Sequence, residues 1–97
     1  MGAVVVIARV EALPGHESQV EELLRWQVGP TLRETGCINY DLHRDNALPN
    51  VFWFHETWAS PADLDAHAVS EHLQLNRERL KPHVAGPSQV HKATKLD

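Results

Sequence analysis

GCINYDLHRDNALPNVFWFHETWASPADLDAHAVSEH, residues Gly36 to His72, carries two strand patterns, a turn and a capped helix in immediate succession. From Cys37 to Asp45 the side chains alternate: Ile38, Tyr40 and Leu42 take one face, Asn39, Asp41 and His43 the other, the period of a strand. Asn46 to Asn50 reads as a loop, because Pro49 cannot extend a ladder and Asn tolerates turn geometry. Val51 to Trp58 is a second strand, with Phe52, Phe54, Glu56 and Trp58 on one face. Ser60-Pro61-Ala62-Asp63 then starts a helix, with a hydroxyl at the N-cap, Pro at the first helical position and an acid in the first turn. A hairpin feeds a helix, and aromatic and imidazole groups concentrate at the junction.

Working outward, Ala3 to Ala8 is an unbroken apolar, β-branched run, which predicts a strand covered on both faces. His16 to Thr35 is helical, with Val20, Leu23, Leu24, Val28 and Leu32 as its apolar stripe and a kink or break expected at Gly29-Pro30. Gly36 suits the left-handed C-cap of that helix. Pro61 to Leu80 reads as two helical pieces bent near Val69-Ser70, and Gln89 to Leu96 as a last strand after a loop over Pro82 to Pro87. The order β-α-β-β-α-β is the ferredoxin-like split arrangement: an α+β fold with an antiparallel four-stranded sheet and helices on one face. Two helical elements leave the other face of the sheet bare, yet the first and third strands are apolar on both sides. A second copy of the same sheet is the economical cover, so a homodimer closing into an α+β barrel is expected.

At 97 residues, with 42% of them hydrophobic, the chain (1–97) is expected to be one domain with a modest core. A net charge of −4 and nine scattered basic residues argue against a nucleic-acid surface. A single cysteine excludes an internal disulfide and disfavours a Cys-based zinc site. No segment reads as a signal peptide or a membrane span, so a soluble, cytoplasmic protein is expected.

The residues Glu34 to Tyr40, Leu42 to Asp45, Phe52 to Trp58, Ser60, Asp63 to His67 and Ser70 to Leu73 resemble the antibiotic biosynthesis monooxygenase family, and in particular its small quinol-monooxygenase-like members. The most specific part is Glu56-x-Trp58 followed by Leu64-x-x-His67 and Ser70-x-His72. The resemblance implies a dimeric α+β barrel with one pocket per subunit, between the sheet and its own helices. It also implies oxygenation of an electron-rich aromatic, a quinol or anthrone, by O2 without metal or flavin. Heme-degrading relatives carry Trp, His and Asn where this chain has His67, Arg77 and Ala8, so no heme is expected. Other relatives act on small carbonyl compounds, and a non-oxygenase ligand-binding or isomerase role is the alternative.

Oxygenation without a cofactor needs a substrate anion that can reduce oxygen, a group to take its proton, aromatic walls and a donor for the oxyanion. His67, three residues after Leu64 on the inner helix face, is the candidate base; its structural reading is a histidine bonded to the sheet or to Asp63. Trp58 and Phe54 are candidate aromatic walls, or plain core. Asn39 and Tyr40 occupy opposite faces of their strand, so one of them can donate to a ligand oxygen in a given cavity. His72 is a candidate binding residue or a helix cap, and Trp26, off the main stripe of the first helix, edges either the pocket or the dimer. The five-residue separation of His67 and His72 is not the i,i+4 spacing of a ligand pair, so no metal is expected. Glu56, if buried, needs a partner, for which Arg9 and Arg44 are the candidates, and Cys37 reads as a small buried residue.

Overall fold

The structure is a computed structural model that describes residues 2–97. Strands β1 (Val4–Glu11), β2 (Cys37–Arg44), β3 (Val51–Trp58) and β4 (Gln89–Ala93) form one antiparallel sheet in the order β2-β3-β1-β4. Helices α1 (Glu17–Leu32), α2 (Pro61–Ala68) and α3 (Glu71–Leu80) complete it, with a short 3-10 turn at Lys81–His83. This is the expected ferredoxin-like order, with its second helical unit split in two. The split falls at Val69 and Ser70, where the sequence places the bend.

The core lies between one face of the sheet and the helices. Val6, Ala8 and Val10 from β1, Phe52, Phe54 and Trp58 from β3, and Tyr40 from β2 meet Val20 and Leu24 of α1, Leu64 of α2 and Leu80 of α3. Strand registers fix which side chains share that face: Tyr40 stands opposite Glu56 and Leu42 opposite Phe54. The register slips at Ile38, where Cys37 pairs with Trp58 but Asn39 with Thr57. This bulge throws Ile38 out to 61% exposure, against its expected place beside Tyr40 and Leu42.

Four local expectations are corrected. Helix α1 continues through Pro30 to Leu32, because Pro30 lies in the final turn and deletes only the bond to the Trp26 carbonyl. Arg33 is the C-cap, so Gly36, at φ +81°, serves the turn into β2 instead. The buried stripe of α1 is Val20, Leu24, Gln27 and Thr31, while Leu32 is 50% exposed. Two polar residues are therefore buried because they find hydrogen-bond partners. Strand β4 stops at Ala93 rather than Leu96, since Ala93 already pairs with Val5 and β1 begins one residue before that, at Val4.

No helix among the described residues is long and apolar enough to cross a membrane. The helix-free face of the sheet shows Ile7, 42% exposed, along with Arg9, Trp53 and His55. Arg9 therefore points away from Glu56 and pairs with Glu11 at 2.9 Å, while Arg44 pairs with Glu21. Neither arginine is the partner of Glu56.

Candidate active site

Between the sheet and the helices lies a cavity of about 610 Å³. Its floor is aliphatic, from Val6, Ala8 and Val10 of β1. Tyr40, Phe54 and Glu56 form one wall with Leu24 and Gln27 of α1, and Leu64, His67, Leu73 and Leu80 close the helix side. Arg77, Lys81 and Lys92 stand at its edge. The volume is in the range of small-molecule sites and could take a fused-ring aromatic.

His67 reaches this cavity because Ser60 sets the start of α2. The Ser60 Oγ accepts from the Asp63 N–H at 3.2 Å and donates to its carboxylate at 2.9 Å, which fixes the first turn. One turn beyond Leu64, the imidazole is 5% exposed and lies over Trp58, with ring centroids 4.6 Å apart. Its Nδ1 is 2.6 Å from Glu34 Oε2. An ionised carboxylate only accepts, so Nδ1 carries the hydrogen and Nε2 keeps its lone pair. Among the described residues Nε2 has no hydrogen-bond partner. Burial lowers the pKa of His67 from 6.5; the attraction of Glu34 opposes this without cancelling it. The ring is thus neutral near pH 7, with a free nitrogen on a ring that lines the cavity.

Glu56 is the second titratable group. It is 4% exposed, and its Oε1 accepts the Trp58 indole N–H at 2.9 Å. Burial pushes its pKa up to about 7; the Trp58 bond lowers it and the negative charge of Glu34 raises it. Cys37, by contrast, is held as a thiol, pushed up to about 11 by burial and then by Glu34, Glu56 and Asp41.

The sequence candidates thus separate. Tyr40, Phe54 and His67 line the cavity. Trp58 is fully buried beneath His67, supporting its imidazole and Glu56 without lining the space. His72 stands behind His67, its Nε2 at 3.0 Å from Glu34 Oε2 and 3.1 Å from Thr31 Oγ1. Trp26 is 42% exposed, with the Arg79 guanidinium 5.0 Å from its ring, and does not line the cavity. Asn39 lies on the helix-free face, where its Nδ2 donates to Asp41 at 2.9 Å and to the His55 carbonyl at 3.1 Å.

Glu34, Gln27, Thr31 and Asn76 carry no sequence signal of a site role. Glu34 lies in the turn after α1, where helical periodicity no longer assigns a face. Gln27 and Thr31 are polar residues on the buried face of α1, where periodicity calls for apolar ones. A legible signal did exist for Glu56: the i,i+2 spacing to Trp58 puts both on one strand face. Glu34, His67 and His72 also offer three ligand atoms within 4.8 Å of one another, a set able to hold a divalent metal. The spacing argument against a histidine pair fails because His67 and His72 sit on two helices across a bend.

Residues 3–79 match the family model described as antibiotic biosynthesis monooxygenase. Among solved structures, a Pseudomonas aeruginosa protein is similar at 29% identity and a TM-score of 0.93, over 100% of this chain and 97% of that one. A Mycobacterium tuberculosis protein is 30% identical, with a TM-score of 0.91, over 99% and 97% of the two chains. A third structure, named an antibiotic biosynthesis monooxygenase, is 30% identical with a TM-score of 0.89, over 97% and 99%.

Proposed function

Because this chain belongs to the antibiotic biosynthesis monooxygenase family, we propose that it oxygenates a quinol- or anthrone-like aromatic with O2, as a cytoplasmic homodimer that uses no cofactor. The observation that carries this reading is the neutral His67, held by Glu34 through Nδ1 and lining a cavity of about 610 Å³ that is mostly apolar. A base in a mostly apolar cavity is what a weakly acidic aromatic needs to become an anion.

For an anthrone-like substrate the steps balance as follows. His67 Nε2 takes a proton from the ring methylene, leaving a carbanion conjugated with the carbonyl. The carbanion reduces O2 and forms a carbon–oxygen bond. The resulting peroxide takes a proton, from the imidazolium or from Glu56. Loss of the second methylene hydrogen then breaks the O–O bond, releasing one water and leaving a new carbonyl. The protein binds, removes and returns protons, and excludes solvent; the electrons come from the substrate.

A second reading draws on Glu56. Two proton-handling groups on one cavity also suit an isomerase acting on a small carbonyl compound. An oxygen electrode separates the two. With a reduced naphthohydroquinone or anthrone, the purified protein is expected to consume O2 above the spontaneous rate and to lose that activity in His67→Ala. No enzyme-dependent uptake with either substrate sinks the oxygenase.

A further inference from the structure

Tyr40 reaches the cavity at the end of a hydrogen-bond chain whose direction can be read without seeing hydrogens. Asn76, fully buried on α3, places Nδ2 at 2.9 Å from the Leu23 carbonyl and 2.7 Å from Gln27 Oε1. A backbone carbonyl can only accept, so the Asn76 atom facing it is the amide nitrogen. The same nitrogen faces Gln27, so the Gln27 atom there is its oxygen. The Gln27 amide nitrogen is then the atom 2.6 Å from the Tyr40 hydroxyl, and it donates. Every link is forced by the one before it.

We propose that Asn76 and Gln27 are positioning residues that hold Tyr40 as a one-way hydrogen-bond donor to an anionic oxygen of the bound aromatic, a phenolate or enolate. Since Gln27 occupies a lone pair of the hydroxyl, the phenol proton must go elsewhere, and Tyr40 and Gln27 both line the cavity. Thr31 stands close to the same oxygen, but its own proton is committed to the Gln27 carbonyl at 2.8 Å. It can therefore compete only as a neutral acceptor, which a charged oxygen outbids. Burial raises the pKa of Tyr40, so the hydroxyl stays protonated and serves as a donor rather than a base. The T-shaped contact with His67, at 5.5 Å between ring centroids, puts donor and base around one space.

The chain has a cost that packing would not select. Asn76 Oδ1 is the buried side-chain oxygen left without a partner among the described residues. An apolar side chain would avoid that loss but could not set the direction of Gln27.

This proposal rests on the reading of the cavity as an aromatic site, and its test does not need turnover. The probe is 4-nitrophenol, whose phenolate absorbs in the visible, with 4-nitroanisole as its neutral counterpart. Bound to the wild-type protein, 4-nitrophenol is expected to ionise about one to two pH units lower than in water, the scale of a hydrogen bond to a charged group. Gln27→Glu offers Tyr40 an acceptor instead of a donor and should abolish the shift. Asn76→Asp should do the same without touching the cavity, since Gln27 can then turn its oxygen to Tyr40. Affinity for 4-nitroanisole should be unchanged in Asn76→Asp, whose side chain lies outside the cavity lining, which shows the cavity intact. Should either variant fail to fold, Gln27→Leu and Tyr40→Phe carry the test, with the shift reduced in the first and lost in the second. An unshifted nitrophenol in the wild type, or a shift that survives these changes, overturns the proposal. Binding of neither probe overturns it together with the aromatic-site reading. A shifted nitrophenol in a protein that consumes no oxygen upholds the relay while sinking the oxygenase.

Discussion

The rings of His67 and Trp58 pack together, tilted by 31° with centroids 4.6 Å apart, and substitution should separate their roles. His67→Ala is expected to stay folded and lose roughly 10²–10⁴ in kcat, the usual scale for a general base. The loss should shrink for substrates already ionised at the assay pH. Trp58→Ala removes a fully buried indole and the Glu56 hydrogen bond together, so it should melt earlier, by about 3–5 kcal/mol in denaturant. Full activity in His67→Ala with lowered stability would return that residue to a structural role.

Glu56 makes a pH-dependent prediction of its own. Its folded pKa, about 7, lies above its ordinary 4.5, so the folded state holds the proton more tightly than the unfolded chain. The stability it confers is complete below about pH 4.5 and is lost as pH rises through about 7, up to about 3 kcal/mol in all. His67, lowered below 6.5, acts in the opposite sense and removes stability as pH falls. Denaturant titrations should show that loss between about pH 4.5 and 7 in the wild type and a flatter profile in Glu56→Gln. If protonated Glu56 also returns the proton to the peroxide, kcat/KM should fall above about pH 7 in the wild type and lose that limb in the Gln variant.

At the scale of elements, the site depends on two junctions. The α1–β2 turn passes Gly36 at φ +81°, and a Cβ built there collides with the Asp63 side chain in the first turn of α2. That close approach joins the turn carrying Glu34 to the helix carrying His67. Gly36→Ala should therefore cost at least about 2 kcal/mol, from left-handed strain and displacement of Asp63 together. It should also weaken the Glu34–His67 contact, read as a changed imidazole titration by NMR. A variant as stable as the wild type, with its imidazole unaltered, would refute the coupling. The second junction is the break between α2 and α3, where the Ser70 hydroxyl donates to the His67 carbonyl at 2.8 Å. It turns His72 back onto Glu34, which a continuous helix could not do.

For the whole molecule, the open question is the face of the sheet without helices. Val5, Ile7 and Trp53 lie there among Arg9 and His55, on strands whose other face is already core. We expect two copies to pack by these faces, with about 2,000 Å² buried in total, as obligate pairs do. Sedimentation should then give a dimer at micromolar concentration. Ile7→Glu, by placing a charge in the contact, should raise the dissociation constant at least tenfold, for which about 1.4 kcal/mol suffices. A folded wild-type monomer at that concentration would remove the dimer.

The sequence by itself determined the order of elements, the hairpin from Cys37 to Trp58, the Ser60 cap and the break at Ser70. These are set by interactions within a few residues: alternation, capping hydroxyls and proline geometry. It also put His67 on the inner face of its helix, because residues on one helix face keep a fixed period, but it left open whether Asn39 or Tyr40 meets the cavity and whether Phe54 is wall or core. Only the tertiary structure decided what lies between elements. Glu34 reaches His67 across 33 positions, and Asn76 reaches Gln27 across 49, contacts that no local period encodes. A single bulge at Ile38 and the burial of Gln27 and Thr31 depend on partners from other elements. A polar side chain is buried when its hydrogen bonds are met, and those partners exist only once the chain has folded.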